Sequence, residues 1–242
     1  MMNFSGKSFL ITGSARRLGR EIALALAANG ADIVIHHSHS PSLADEVAAA
    51  IRGMGRKAWI VESDLSDPQN ADLLVSRAWE CTPLDGIVNN AAVFHKQEWF
   101  DTSIELWQDT LAINLTAPFL ISKAFAKILS EMNTGRIVNM LDWRALRPGD
   151  DHLAYTVSKA ALGSLTRSLA QAFAPRISVN ALALGAVLPP SDQALDPEIE
   201  KKIPLHRWTR IDELTHAVMF LLSAAPELTG EIIYLDGGRH LT

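Results

Sequence analysis

Three side chains that can hold or move a proton lie near one another in the sequence: Asp142, Tyr155 and Lys159. Tyr155 and Lys159 are four residues apart in "YTVSK", so on a helix they lie one turn apart on the same face. A lysine ammonium beside a phenol favours the phenolate, so we expect Lys159 to lower the pKa of Tyr155. Asp142 follows the apolar run "GRIVNM". The three residues predict an acid–base site.

Bulk composition limits the class of protein. The chain has 242 residues, enough for one sizeable α/β domain and few for two, and a net charge of −5. The negative charge argues against a nucleic-acid or anionic-membrane partner. The single Cys81 excludes an intrachain disulfide, and the N-terminal sequence lacks the pattern of a signal peptide. No apolar stretch looks long enough to span a bilayer. We expect a cytoplasmic protein and predict no metal site.

Strand-like and helix-like patterns alternate from end to end, and these elements must position the three side chains. The predicted strands are 7–12, 31–37, 57–63, 85–90, 135–141, 176–182 and 231–236. The predicted helices are 18–29, 42–54, 68–80, 104–132 and 152–174. Several strands are continuously apolar, as strands buried on both faces should be. The alternation predicts a single-domain α/β fold of the Rossmann type over 1–242, with a doubly wound, parallel, seven-stranded sheet and helices on both faces.

Residues 185–208, "GAVLPPSDQALDPEIEKKIPLHRW", interrupt this alternation. The segment carries four prolines and shows no clear period. A long irregular segment in a compact domain is often a lid or a binding loop. We therefore predict a substrate loop around 185–208.

A glycine-rich turn follows the first strand. Gly13 and Gly19 flank a tight turn that opens a helix, which directs backbone N–H groups at a phosphate. The pattern predicts dinucleotide binding, and the alternative is an ordinary strand–helix turn.

The end of the second strand predicts which dinucleotide binds. No Asp or Glu lies between Ile33 and Leu43, where an NAD site normally places an acidic residue for the ribose diol. The residues available to a 2′-phosphate are Arg16, His36, His37, His39 and Ser40. NADPH/NADP+ is therefore favoured over NADH. The alternative is that the histidines are solvated loop residues.

Further polar and small residues fall at strand ends or in helices. Asp64 meets the adenine amine or, in the alternative, caps a helix together with Ser66. The "NNAA" of 89–92 leaves room for a close approach of the cofactor. Asn114 stands in the apolar "LAINLTAPF", so it is either a structural residue that bends a helix or part of a proton relay.

Together these residues resemble the short-chain dehydrogenase/reductase family over essentially the whole chain. The resemblance rests on "TG…LG", "NNA", Asn114, Tyr155, Lys159 and "LDGG" at 235–238. It implies that Tyr155 is the proton donor, that Lys159 assists it and bonds the nicotinamide ribose, and that Asn114 anchors a water relay. The expected cofactor-binding residues are Gly13, Arg16, Arg17, Leu18, Gly19, His36, His37, His39, Ser40, Asp64, Leu65, Asn90, Ala91, Ala92, Tyr155, Lys159, Gly185 and Val187. The family also implies a homotetramer.

Departures from the family pattern point to one subgroup. Arg17 replaces a glycine of the first turn, Asp142 replaces a serine, and Leu184 replaces a proline. Arg17, Asp142 and Phe94 resemble residues of the pteridine reductases and dihydromonapterin reductases, in which an aromatic side chain stacks on the pterin. The resemblance implies substrate contacts by Arg17, Phe94, Asp142 and Tyr155, with Asp142, Tyr155, Lys159 and Asn114 catalytic.

Three functions remain open from the sequence. The first is NADPH-dependent reduction of dihydropterins, with dihydromonapterin, dihydrobiopterin and dihydrofolate as candidates. The second is a carbonyl or 3-oxoacyl reductase, and the third is a non-catalytic NADP-binding sensor. Taken singly, Asp142 could merely cap a strand end, Arg17 could point to solvent, and Phe94 could be core or pocket wall.

Overall fold

The strands appear where the sequence predicts them. The computed structural model describes residues 2–95, 99–129, 132–149, 151–189 and 197–242, so residues 190–196 of the predicted substrate loop lie outside the described residues. In chain order the strands are β1 (Ser8–Ile11), β2 (Asp32–His37), β3 (Ala58–Glu62), β4 (Gly86–Asn89), β5 (Gly135–Asp142), β6 (Ile177–Leu184) and β7 (Ile232–Leu235). They form one seven-stranded sheet in the order β3-β2-β1-β4-β5-β6-β7.

Every strand pair is parallel, which brings the carboxyl ends of the strands to one edge of the sheet. The register pairs Ile11 with both Ile35 and Val88, and it pairs Asp142 with Leu184. Turns that leave β1, β4, β5 and β6 therefore open on the same side, where ligands bind in open α/β sheets. The fold places the predicted cofactor turn and the predicted acid–base residues at this edge.

Helices cover both faces of the sheet. They are α1 (Arg17–Ala28), α2 (Pro41–Gly53), α3 (Pro68–Cys81), α4 (Ile104–Leu111), α5 (Ala117–Ile128), α6 (Leu153–Phe173), α7 (Pro197–Lys201) and α8 (Ile211–Ser223). One apolar layer joins α1, α2 and α8 to the sheet through side chains such as Leu26, Val47 and Val218. The other joins α3 and α5 through Leu74 and Phe125. The doubly wound fold is confirmed, although α8 is a helix that the sequence patterns do not single out.

The predicted helix 104–132 is not a single regular helix. Between α4 and α5 the backbone forms a π-helical turn, Ala112–Thr116. Pro118 lacks an N–H group to donate to the carbonyl of Asn114, and its ring clashes with that carbonyl in a regular α-helix. The wider π turn relieves this conflict and buries Asn114. Helix α5 ends at Ile128 because Leu129 is extended.

The run from Ile104 to Ile128 is long and apolar enough, by length and composition alone, to cross a membrane. The expectation that no such stretch exists is wrong on that criterion. Core helices of soluble proteins meet the same criterion. Here Ile121 and Phe125 are fully buried in the layer shared with α3 and the sheet. Core packing accounts for the apolar side chains at these two positions, whereas Ile104 and Phe119 are exposed.

A buried chain of polar side chains ties α6 to the middle of the sheet. The Asn89 amide donates to Oδ1 of Asn139 at 2.8 Å, and the Asn139 amide donates to Oγ1 of Thr166 at 2.9 Å. The Thr166 hydroxyl donates to the carbonyl of Leu162. All three side chains are almost completely buried. Because α6 carries Tyr155 and Lys159, this chain of hydrogen bonds helps to fix the position of those residues relative to the strands.

Replacing the central amide should therefore destabilise the fold. We expect Asn139→Ala to lower the free energy of unfolding by about 2–4 kcal/mol, because it leaves a cavity and removes the closer of the two acceptors of the Asn89 amide. Urea unfolding followed by circular dichroism measures the change. The exposed Asn133→Ala serves as the control, with an expected change within about 0.5 kcal/mol. Equal stability of the two variants would contradict this role.

Candidate active site

Asp142, Tyr155 and Lys159 meet at the carboxyl edge of β5. The Tyr155 hydroxyl donates to Oδ2 of Asp142 at 3.2 Å. Lys159 is 3% exposed, and its Nζ donates to the carbonyl of Met140 at 2.8 Å. The strand β5 supplies Asp142 and Met140, whereas α6 supplies the phenol and the ammonium. The structure thus brings the three predicted catalytic side chains together.

Asp142 also caps the end of its strand. Its Oδ1 accepts a hydrogen bond from the backbone N–H of Arg144 at 2.9 Å. The guanidinium of Arg144 lies with Nη1 3.9 Å from the same oxygen, and Nη2 donates to Asp151 at 3.1 Å. One carboxylate oxygen therefore serves the local backbone and the other faces Tyr155. The capping and catalytic interpretations of Asp142 both hold geometrically.

Burial sets the protonation of this site. It raises the pKa of Asp142, which the nearby Arg144 and Lys159 only partly offset. Burial, together with the Asp142 carboxylate, raises the pKa of Tyr155 well above its usual range. Burial lowers the pKa of Lys159 to about 8.

The expectation that Lys159 lowers the pKa of Tyr155 is wrong for this arrangement. The lysine Nζ lies 5.7 Å from the centre of the Tyr155 ring and bonds a backbone carbonyl. The phenol is hydrogen-bonded to a carboxylate instead. A negative partner opposes ionisation of the phenol, and so does burial. The spacing in "YTVSK" shows that Tyr155 and Lys159 are neighbours on one helix. It does not show the effect on the Tyr155 pKa of Asp142, which comes from β5.

Asn114 is fixed by the turn that follows β4. Its side-chain oxygen accepts from the Val93 N–H at 2.9 Å, and its Nδ2 donates to the Val93 carbonyl at 3.0 Å. The same Nδ2 lies 3.1 Å from Oγ of Ser158, which in turn donates to the carbonyl of Tyr155. Asn114 therefore connects the strand-end loop to the backbone of the catalytic helix. This is the structural role left open by the sequence, and its part in a proton relay stays a prediction.

The glycine-rich turn is tight. Gly13 has φ +65°, and a Cβ on Gly19 would lie 2.3 Å from the carbonyl oxygen of Gly13, so only glycine fits there. Arg16 precedes α1 without a side-chain hydrogen bond to the first turn of the helix, and no acidic residue lies in that turn. The N–H groups at the start of α1, next to Leu18, are thus suited to an anionic group.

Arg17 occupies an unusual backbone position. Its φ is +53°, in the left-handed region that favours glycine. Its Nη2 donates to the carbonyl of Pro189 at 2.7 Å, so the side chain reaches the irregular segment after β6. The simple alternative, a side chain that only points to solvent, does not describe this contact. A strained residue held next to a binding turn suggests a functional constraint.

His36 does not face a 2′-phosphate in this structure, which contradicts one predicted contact. It is 2% exposed; its Nδ1 accepts the N–H of Gly13 at 3.0 Å, and its Nε2 lies 2.9 Å from the carbonyl of Ser63. These partners require the neutral tautomer with the proton on Nε2. Burial lowers the pKa of His36 to about 4. The ring holds the cofactor turn in place and carries no charge at neutral pH.

The other residues at the end of β2 differ in their exposure. His37 is buried, and its Nδ1 accepts the N–H of Ser40 at 3.4 Å, so this ring also forms a hydrogen bond within the protein. His39 is exposed and bonds the neighbouring Ser38 hydroxyl at 2.8 Å. Arg16 is exposed as well. Arg16 and His39 are therefore the exposed basic residues of the predicted set, and their contact with a 2′-phosphate stays a prediction.

Asp64 and Leu65 form the turn after β3. Oδ1 of Asp64 accepts from both the N–H and the hydroxyl of Ser66, which lowers the pKa of Asp64. The helix N-cap is Asp67, whose side chain accepts from the Gln69 N–H. Asp64 thus caps a turn rather than the helix, and its second oxygen remains at the strand edge. Leu65 is buried beneath it.

The predicted contacts after β4 and β6 also line this edge. Oγ1 of Thr12 accepts from the N–H groups of Asn90 and Ala91, and the Asn90 amide donates to the carbonyl of Thr12. These bonds join the cofactor turn to "NNAA", where Ala92 is exposed. After β6, a Cβ on Gly185 would lie 2.7 Å from Cα of Asp236. Val187 packs against the apolar layer that contains α1 and α8.

Phe94 borders the acid–base residues. It is 44% exposed, its ring stacks on His152 at a centroid distance of 4.2 Å, and it meets the Tyr155 ring edge-on at 4.6 Å. His152 has φ +53° and begins α6. Phe94 is therefore a wall of the site rather than a core residue.

Sequence reasoning missed the arrangement around Trp143. The guanidinium carbons of Arg144 and Arg239 lie 4.9 Å and 4.3 Å from the Trp143 ring. Asp236 holds the turn of Arg239 by accepting from the N–H and the ring of His240. Within this chain the "GRH" of 238–240 lies in this turn, which places Arg239 next to Trp143. The "LDGG" motif is the signal that points to this turn.

Comparison with known proteins places this geometry in a family. The profile of the family described as enoyl-(acyl carrier protein) reductase matches residues 13–240. The chain belongs to the short-chain dehydrogenase/reductase family. A 3-oxoacyl-[acyl-carrier-protein] reductase from Synechocystis sp. is 31% identical over 95% of each chain.

Solved structures with the same fold include two from Brucella. FolM alternative dihydrofolate reductase 1 from Brucella canis, complexed with NADP, is 33% identical with a TM-score of 0.89, covering 99% of this chain and 96% of the other. The protein of the same name from Brucella suis, also in complex with NADP, is 33% identical with a TM-score of 0.90, covering 98% and 96%. The relative from Synechocystis and the two Brucella proteins differ in the substrates that their names state.

Backbone strain at Arg17 can be measured with two variants that both lack the guanidinium. We expect Arg17→Gly to be more stable than Arg17→Ala by about 1 kcal/mol, because alanine keeps the left-handed penalty and glycine removes it. Urea unfolding of the two variants gives the difference. A more stable alanine variant would show that this position carries no strain.

The raised pKa of Asp142 makes stability depend on pH. Ionising this carboxyl costs more in the folded chain than in the unfolded chain, so the cost is absent below the unfolded pKa of about 4 and grows as pH rises through the folded pKa. We expect Asp142→Asn, which cannot ionise, to gain stability relative to the wild type as the pH rises from about 4 to neutrality. Urea unfolding across this range tests it. The exposed Asp101→Asn is the control; equal pH dependence in both variants would contradict the assignment.

Proposed function

We propose that this short-chain dehydrogenase/reductase uses NADPH to reduce dihydropterins to their tetrahydro forms. The observation that carries the proposal is the hydrogen bond between the Tyr155 hydroxyl and Oδ2 of Asp142 at 3.2 Å. A carbonyl reductase needs only neutral hydroxyls to bind and protonate an oxyanion. A pterin presents a C=N bond, whose reduction requires a proton on the ring nitrogen.

A buried carboxyl group is suited to that proton transfer. Because burial raises the pKa of Asp142, this side chain holds a proton closer to neutral pH than an exposed aspartate does. The Tyr155 hydroxyl is directed at the carboxylate, so the two groups form one proton-sharing unit. Lys159, with its pKa lowered to about 8, keeps a positive charge beneath this unit at neutral pH. A positioned acid of this kind contributes about 10²- to 10⁴-fold to a rate.

The residues at the strand edge fit NADP(H). The start of α1 lacks a side-chain cap and an acidic residue, Gly13 and Gly19 keep the turn tight, and Arg16 is exposed. The related Brucella structures contain NADP. When bound, the cofactor supplies the hydride. This chain supplies the anion-binding turn, the proton-holding pair and the walls of the site.

Phe94 and Arg17 are placed to recognise a flat, heteroatom-rich ring. Phe94 is 44% exposed and stands against Tyr155, so it offers aromatic surface next to the proton donor. Arg17 lies at the cofactor turn and reaches toward Pro189. A planar guanidinium suits acceptors on a fused ring. The two side chains approach the site from different loops, which supports their role in substrate binding.

The second candidate is reduction of a 3-oxoacyl thioester or another ketone. The relative from Synechocystis favours it, because its name states a 3-oxoacyl substrate and it aligns over 95% of the chain. Against it stands Asp142, because protonation of a substrate oxyanion requires no carboxyl group beside the phenol.

An assay of NADPH oxidation separates the two candidates. Purified enzyme is supplied with 7,8-dihydropterins, dihydrofolate, diketones and an acetoacetyl thioester in parallel, and absorbance of the reduced nicotinamide is followed. We expect turnover with dihydropterins and none with ketones. Turnover restricted to ketones or thioesters would establish the second candidate. Tight NADPH binding without any turnover would favour a sensor.

Substitution of Asp142 tests the proton-holding role directly. We expect Asp142→Ser and Asp142→Ala to lower kcat for dihydropterins by about 10²-fold or more, because the proton path to the ring nitrogen is lost. NADPH affinity, measured by fluorescence titration, should stay close to that of the wild type. Undiminished turnover in either variant would remove Asp142 from the mechanism.

A further inference from the structure

A cavity is lined in part by Arg144, which lies beside Asp142. Its volume is about 640 Å³. Its walls come from the loop after β5, from the end of α7 and from the turn that follows β7. The proposed function makes no use of this cavity. It is large enough to hold a small ligand or part of one.

Positive charge dominates the walls. The cavity is lined by Arg144, Arg147, Arg239, Lys201 and Lys202, and Asp151 is the acidic side chain among its lining residues. Asp151 bonds Arg144, and Lys201 bonds Glu198 at 2.6 Å. In the part of the chain that the structure describes, Arg147, Lys202 and Arg239 make no salt bridge. A chain of net charge −5 thus concentrates cations at one place beside its catalytic residues.

Arg144 joins the cavity to the acid–base pair. Its Nη1 lies 3.9 Å from Oδ1 of Asp142, and its guanidinium carbon lies 6.0 Å from the centre of the Phe94 ring. The same side chain lines the cavity. A ligand whose ring rests against Phe94, next to Tyr155, therefore has the cavity within reach of any substituent that it carries.

The cationic wall is also preorganised. The guanidinium groups of Arg144 and Arg239 both contact the Trp143 ring, which restricts their movement. Asp236 holds the turn that carries Arg239. Nε of Arg144 is buried and has no hydrogen-bond partner within the described residues. Rigid guanidinium groups with spare donors are typical of sites for carboxylates or phosphates.

We propose that this cavity binds an anionic tail of the substrate, carrying carboxylates or phosphates, while the pterin ring lies at Asp142 and Tyr155. The inference deepens the proposed function and rests on it. A slender tail fits better than the surface of an acidic protein, because Arg144 is 14% exposed at its side chain and Arg239 is stacked within the wall. The substrate class is then a dihydropterin with an acidic side chain.

Paired substrates test the tail site. The double variant Arg147→Gln/Lys202→Gln removes two cations that touch neither Asp142 nor Tyr155. The matched control Lys57→Gln/Lys127→Gln removes two exposed lysines elsewhere. For each enzyme, kcat/KM is measured with neutral dihydrobiopterin, with dihydrofolate and with dihydroneopterin triphosphate. We expect the ratio of an anionic to the neutral substrate to fall by about tenfold in the cavity variant and to stay unchanged in the control.

The anionic substrate whose kcat/KM falls relative to that of dihydrobiopterin identifies the anion. A fall confined to dihydrofolate indicates carboxylates, and a fall confined to the triphosphate indicates phosphate. Unchanged ratios for both would overturn the proposal.

Direct binding separates this proposal from the function on which it rests. Calorimetry of the NADP-loaded enzyme with γ-linked triglutamate and with tripolyphosphate should show binding of one probe that the cavity variant weakens about tenfold. If no dihydropterin is turned over while this binding is lost in the variant, the proposed function fails and the anion site stands. Binding of neither probe, alongside binding of an acidic acyl carrier protein, would overturn the tail site in favour of a protein partner.

Discussion

The partly buried carboxyl of Asp142 is the constraint around which the site is organised. One oxygen completes the hydrogen bonding of the chain as it leaves β5, and the other accepts from Tyr155. Arg144 lies close enough to limit the cost of burying this charge without cancelling it, since the pKa of Asp142 is still raised. Lys159 is turned to a backbone carbonyl and acts on the pair through its charge. The parallel sheet matters because it delivers all of these groups to one edge.

The fold follows closely from the sequence, because its signals are local and repeated. Continuous apolar strands such as β6 and amphipathic helices such as α1 can be recognised from the sequence without tertiary information. The break in the helix that carries Asn114 depends on a single Pro118, and its π-helical form arises from a steric conflict that periodicity does not reveal. The unpredicted α8 shows that a helix without a chemical motif is easily passed over.

The sequence predicts which residues form the site better than it predicts their pKa values. Tyr155 and Lys159 are spaced to meet, and Asp142 was a candidate from its place at a strand end. The direction of the Tyr155 pKa could not follow from the motif, because the dominant effects are burial and a carboxylate from another element. The prediction that His36 contacts a 2′-phosphate is wrong for a related reason. A histidine at the end of a strand buried on both faces points either to solvent or inward, and sequence alone does not distinguish the two. The Trp143 stack needs two segments that are far apart in the sequence to converge.

The inward position of His36 has a consequence for acid lability. The unfolded chain binds a proton on this ring near pH 6.5, whereas the folded chain resists protonation until about pH 4. As the pH falls through this interval, the equilibrium moves toward states in which the ring is released. Since the ring holds the Gly13 N–H and the Ser63 carbonyl, release detaches β3 from the glycine-rich turn. Acid is therefore expected to loosen the dinucleotide end of the molecule through this ring, which lies apart from the Asp142–Tyr155 pair.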